Sequence, residues 1–149
     1  MKNTIILLTM LLFSGIGFAQ ESNNGKQLWA KSFLNEKAPE LTVETWISKK
    51  PDTEGKFVII DFWATWCGPC RKAIPELNEI AKEFSKDVVV IGISDEPVEK
   101  IKAMKEPVIE YYYGVDTKKT MDKILEIKGI PHVIIIDPKG IVRWEGFPL

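Results

Sequence analysis

The 149-residue chain is 45% apolar and 28% charged, with a formal net charge of −1, the balance of one soluble globular domain around a single core. So small a charge gives no footing for nucleic acid or an anionic membrane surface. Two cysteines and one histidine fall short of the four ligands a structural zinc takes, so neither metal nor cofactor is expected.

Residues 1–19 read as a secretory signal. Lys2 supplies the positive start, Ile5 to Phe18 is almost wholly apolar, and Gly17-Phe18-Ala19 is a small-x-small cleavage pattern before Gln20. As a helix that apolar run rises only about 21 Å, against about 30 Å of hydrocarbon core. An uncleaved anchor is the alternative. The mature protein is then periplasmic or otherwise exported, with no stable membrane insertion after cleavage. Gln20 in first place leaves no thiol for lipid attachment.

Residues 20–37 form a flexible polar lead-in with a short strand around Trp29 to Leu34, and residues 38–149 form the domain. Glu40 to Trp46 alternates and predicts a strand. Pro51 to Lys56 is a loop. Phe57 to Trp63 is a continuous run of β-formers, the pattern of a central strand covered on both faces. A helix is predicted from about Pro69 to Ser85. Ala73, Ile74, Leu77, Ile80, Ala81 and Phe84 recur at three and four, and Pro75 is expected to kink it.

Val88 to Ser94 is a second buried strand, followed by a helix near Val98 to Lys105 and a short strand at Tyr111 to Val115. Asp116 then caps a helix that reaches Lys128 and ends at Gly129. His132 to Asp137 is a third apolar strand. Asp137-Pro138-Lys139-Gly140 turns the chain, and Ile141 to Glu145 pairs back as a hairpin. The fold class is α/β, a mixed central sheet flanked by helices.

Cys67 and Cys70 are the only cysteines and stand two residues apart. A bridge closing so small a loop removes little chain entropy, so it makes a poor staple. Half of a zinc site and a purely structural bridge are the other readings. A thiol attacks as its thiolate, and a free cysteine titrates near 8.5. Cys67 precedes a helix whose first turn holds Pro69, and the unpaired N–H groups there lower its pKa. Cys67 at the exposed helix start is the nucleophile; Cys70, one turn in, resolves the mixed disulfide. Trp66 offers an apolar platform beside the sulfur. Asp61 alternates with Phe57, Ile59 and Trp63 onto one strand face, where burial is expected to raise its pKa.

"DFWATWCGPC" followed by "RKAIPEL", and "GIPHVIIIDPKGIVRWEG" further on, resemble the thioredoxin family. They resemble most the exported thiol-disulfide oxidoreductases of the TlpA and ResA kind, over roughly residues 37 to 146. The resemblance implies a thioredoxin fold and a cis peptide before Pro131, with that proline beside the reactive disulfide. It also implies that Asp61 exchanges a proton with Cys70; a hydrogen-bonded structural aspartate, or one reached by water, is the other reading. Trp66, Gly68, Pro69, Ile130 and Pro131 would shape the groove for client proteins. A membrane electron donor would re-reduce the pair. The implied activity is disulfide reduction in clients; an oxidase or isomerase of the same fold, and a non-catalytic binding module, are the rivals.

Two positions and the closing segment depart from the family pattern. Ala73 stands where cytochrome-maturation members often carry glutamate, which points to a general reductant. His132 follows Pro131 where many thioredoxins have threonine, either packed or tuning the disulfide. Tyr111-Tyr112-Tyr113 reads as strand filler. The family closes with a helix, whereas here Phe147-Pro148-Leu149 follows the last hairpin. An uncovered apolar face on the sheet and self-association are therefore expected.

Overall fold

The computed structural model describes residues 28–148, so the signal assigned to residues 1–19 and most of the lead-in lie outside the described residues. The elements in chain order are β1 Thr45–Trp46, β2 Phe57–Phe62, α1 Gly68–Glu83, β3 Val88–Ser94, α2 Val98–Ala103, β4 Tyr112–Val115, α3 Thr120–Leu125, β5 His132–Ile136 and β6 Val142–Gly146. They form one sheet of order β1-β4-β3-β2-β5-β6. β2, β3 and β4 run parallel; β1, β5 and β6 join antiparallel. The α/β reading with a mixed sheet flanked by helices holds.

Alternation along β2 builds two cores. Val58, Ile60 and Phe62 point into a cluster with Ile91, Met121, Leu125, Ile134 and Val142. Ile59 and Trp63 point into the other, with Cys67, Cys70, Ile74, Leu77, Tyr111 and Val133. Ile60, Phe62, Ile91 and Ile134 are each at most 2% exposed, and burying such a side chain contributes about 1.5–3 kcal/mol. The helical periodicity of α1 puts Ala73, Ile74 and Leu77 on its buried side. α1 continues through Pro75, which is exposed. The hydrogen bond that proline cannot make, to the carbonyl of Arg71, lies on the solvent side of the helix.

Several elements differ from expectation for identifiable reasons. No strand forms over residues 29–34. Its amides are taken by partners outside the sheet: the Lys31 N–H donates to the Leu125 carbonyl at 2.8 Å and the Phe33 N–H to the Glu145 carboxylate at 2.9 Å. The strand expected over Glu40 to Trp46 shrinks to two residues. Only Thr45 and Trp46 pair in register with β4, while the Thr42 N–H turns to the Met121 sulfur. The Asp116 carboxylate does accept from the helix, at the Met121 N–H 2.7 Å away. However, α3 spans only Thr120–Leu125 and is ended by Glu126 in the left-handed region (φ 49°), not by Gly129. Beyond it, the Lys128 N–H donates to the Trp29 carbonyl, so the lead-in takes the place of another turn of helix.

No helix follows β6 among the described residues. Beside α1, the uncovered part of the sheet is an apolar groove of about 280 Å³, walled by Ile59, Leu77, Ile80, Val133, Ile135 and Trp144. Ile135 and Trp144 are half-buried there.

Candidate redox site

The loop after β2 delivers Cys67 to the start of α1. The sulfur of Cys67 is the helix N-cap and accepts from the Cys70 N–H at 3.2 Å, satisfying one of the donors a helix start leaves open. Pro69 sits at the first turn, where its missing N–H is no loss. The two cysteines are joined as a disulfide. The positive end of α1 and its N–H groups therefore face the Cys67 sulfur, the arrangement that favours a thiolate once the bridge opens.

Exposure at this helix start belongs to the neighbours. Trp66 is 68% exposed, and Gly68 and Pro69 are exposed. Cys67, expected to be exposed, is 3% accessible against 0% for Cys70. Cys67 is instead packed into the core cluster with Trp63, Ala64 and Cys70. The Ile130–Pro131 peptide is cis; Pro131 is buried and Ile130 half-buried. Trp66 and Ile130 line one cavity of about 180 Å³ with Phe62, Trp63, Ile93 and Ile127, with the Lys119–Asp95 ion pair (2.6 Å) among the lining residues. The predicted groove residues Trp66 and Ile130 are thus brought together.

Asp61 is fully buried. Its strand neighbours Ile59 and Trp63 on the same face pack with Cys67, Cys70 and Tyr111. Burial pushes its carboxyl up from 3.8 to about 7, with the Tyr111 hydroxyl pulling partly back. Neither carboxyl oxygen, nor the Tyr111 hydroxyl, nor Trp63 Nε1 has a hydrogen-bond partner at ordinary distance. His132, by contrast, lies on the opposite face, stacked on Phe62 with ring centroids 6.1 Å apart. Burial holds its imidazole below the usual value, and the charge of Glu145 offsets this in part. The structure therefore places His132 in packing, away from the disulfide face.

Two residues near the site were not singled out from the sequence. Glu96 is 6% exposed and holds the turn before Cys67, accepting from both the N–H and the hydroxyl of Thr65. Burial works to raise its carboxyl, but Lys100 at 2.6 Å and the Thr65 bonds outweigh that and keep it below the usual range. A polar residue just past a strand end was the available signal. Tyr111 is the other: it read as strand filler, yet it brings a phenol to Asp61. Among the described residues no group of three or more His, Cys, Asp or Glu is arranged to hold a metal.

A strand-to-helix junction bears a Cys-x-x-Cys disulfide in one cluster with Ile130 of the cis-proline loop, on the strand face that carries a buried aspartate, and this is the build of a thioredoxin-like thiol-disulfide site. Residues 34–145 match the AhpC/TSA family, and the chain belongs to it. It is similar to the thiol-disulfide oxidoreductase ResA of Bacillus subtilis, 26% identical over 70% of this chain and 62% of that protein. The chain thus spans less than two thirds of that relative. It is 29% identical to the thiol:disulfide interchange protein DsbE of Pseudomonas aeruginosa, over 97% of this chain and 84% of that protein. Among solved structures it resembles the thioredoxin domain of a thiol-disulfide oxidoreductase from Bacteroides vulgatus. That match has a TM-score of 0.65 and 29% identity, over 75% of this chain and 86% of the other. The chain is a member of a thiol-disulfide oxidoreductase family with its cysteine pair in place.

Proposed function

We propose that the protein is an exported reductase of disulfides in client proteins. The observation that carries this reading is Asp61, a carboxyl with no exposure and a pKa near 7 on the face that holds the cysteine pair. A buried acid that changes charge near neutral pH costs stability, and proton transfer to a thiol gives it a use.

In the reduced protein the Cys67 thiolate attacks a client disulfide, forming a mixed disulfide and releasing one client thiolate. Cys70 then gives its proton to Asp61 and attacks Cys67 Sγ. The mixed bond breaks, the second client sulfur leaves as thiolate, and Cys67–Cys70 is closed. Two electrons pass to the client. Trp66, Gly68, Pro69, Ile130 and Pro131 form the surface that receives it. The apolar run in residues 1–19 supports export, and no described helix is long and apolar enough to cross a membrane. In an oxidising space the pair needs a membrane partner that returns electrons.

Direction is tested by equilibrium against a glutathione or dithiothreitol series. Gly68-Pro69 between the cysteines is the pair thioredoxins carry, so the potential is expected near the thioredoxin value of about −270 mV. A value above about −180 mV, the disulfide-isomerase range, would replace the reductase with an oxidase or isomerase.

A further inference from the structure

Asp61 sits among groups that give it almost no polar company. Facing the same way on β2 are Ile59 and Trp63. Its lateral neighbours on β3 and β5 are Gly92 and Val133. From α1 come Cys67 and Cys70 with the aliphatic Ile74 and Leu77. Two tyrosines enter this cluster: Tyr111, 4% exposed and delivered by the segment just before β4, and Tyr113, half-buried and packed at its edge. The Tyr111 hydroxyl, like both oxygens of the Asp61 carboxyl, is buried with no hydrogen-bond partner at ordinary distance, and its influence on that carboxyl favours the charged form. Burial first, and the Asp61 charge next, hold the phenol well above its ordinary value. It therefore stays a neutral donor at working pH.

The shape of the site accommodates this phenol. Gly92, the neighbour of Asp61 on β3, offers a side-chain-free surface; a Cβ there would stand 3.0 Å from the Tyr111 ring and 3.1 Å from Trp63 Nε1. Tyr111 also lines a cleft of about 460 Å³, whose other charged lining groups are Lys49, Lys56, Lys82 and Glu110. One side chain thus belongs both to the sealed surroundings of Asp61 and to a solvent-open cleft.

We infer that Tyr111 is a positioning residue for the Asp61 base, its hydroxyl orienting the carboxylate that takes the Cys70 proton. The inference rests on the reading of Asp61 as that base. When Cys70 attacks Cys67 Sγ, the Cys70 proton moves to Asp61, the client sulfur leaves with the bonding pair, and Asp61 later returns the proton to solvent. A neutral phenol beside the carboxylate stabilises the form able to accept; without it the carboxyl holds its proton to higher pH and fewer molecules carry a working base at neutrality.

The test is Tyr111→Phe in the full chain, which keeps the ring and removes the hydroxyl. The Asp61 carboxyl is followed by NMR, and the resolving step by release of a reporter thiol from a mixed disulfide on Cys67. Expected is an Asp61 titration displaced to higher pH, and a pH profile for resolution displaced with it. The rate at pH 7 should fall roughly two- to sixfold, the loss of deprotonated carboxyl that a half- to one-unit displacement from about 7 produces. The first attack, measured by alkylation of Cys67 in Cys70→Ser, stays unchanged. On an Asp61→Asn background Tyr111→Phe should have no further effect on resolution. A purely structural hydroxyl would lower thermal stability and leave both pH curves in place, which overturns the positioning role while leaving Asp61 as base. Wild-type resolution in Asp61→Asn removes the base and the role of Tyr111 together. Additive losses in the double variant also overturn the inference, since two residues acting through one carboxyl cannot add.

Discussion

Successive residues of β2 face two differently built halves of the molecule. Val58, Ile60 and Phe62 look into a core of Ile91, Met121, Leu125, Ile134 and Val142, with the buried His132 stacked on Phe62. Ile59, Asp61 and Trp63 look the other way, where the disulfide lies beside a carboxylic acid, a phenol and an indole N–H, none of them satisfied by a protein partner. One half holds the sheet together by volume and apolar contact. The other gives up some of that cohesion to keep polar atoms dry and close to two sulfurs. A strand's two-residue period separates these tasks within a single segment, so changes one residue apart should damage different properties.

The largest difference is expected at the sulfurs. Cys70→Ser should accumulate mixed disulfides with clients, and Cys67→Ser almost none, as read by non-reducing gels after acid quenching. Equal capture by both variants would show that the helix N-cap does not select the attacking sulfur. Next comes Asp61→Asn, which should slow turnover at pH 7 about a hundredfold, the lower range for a lost general base, while the fold persists.

The same variant tests stability. The folded carboxyl titrates near 7 against 3.8 without burial. Its contribution is therefore fully present below about pH 4 and is lost as pH rises towards 7, a loss of about 4 kcal/mol at 1.36 kcal/mol per unit. Denaturant midpoints across pH 4–8 should show that loss in wild type relative to Asp61→Asn. Equal pH dependence in the two would place the charged form in contact with solvent.

Across the strand, Ile60→Ala should cost about 2–5 kcal/mol in urea unfolding, with rates per folded molecule unchanged. The smallest effect concerns His132, whose pKa is lowered by burial. A lowered base is the opposite case to Asp61: its unfolded form binds the proton first, so stability falls as pH drops below about 6.5. His132→Phe should abolish that acid-side loss without altering disulfide reduction. The two faces would then have opposite pH responses, one weakening towards base and the other towards acid.

Much of this contrast was legible in the sequence. A seven-residue run of β-formers and a three-four periodicity are local signals, and they located β2, β3, α1 and β5 within one or two residues. Two cysteines at that spacing before a proline located the helix start, and parity alone aimed Asp61 into the core. The misses share a cause. Residues 29–34 have strand-like composition, but their amides bond to Leu125 and Glu145 across the molecule, and no local pattern announces a partner so distant. α3 stops early because Lys128 is claimed by Trp29. Tyr111 carried no mark among three consecutive tyrosines, because what distinguishes it is Asp61 standing opposite.

The bonds that ended α3 also tie together two distant stretches of chain. Lys31 N–H to Leu125 and Lys128 N–H to Trp29 bracket residues 126–127, and a Cβ at Gly129, one residue before Ile130, would stand 3.6 Å from the Trp29 side chain. Neither bond survives unless both segments are in place, so in amide exchange residues 28–33 and 125–130 should open as one cooperative unit. An affinity tag fused close to residue 28, or a protease cut there, is therefore not remote from the chemistry. It unlatches the loop that presents Pro131.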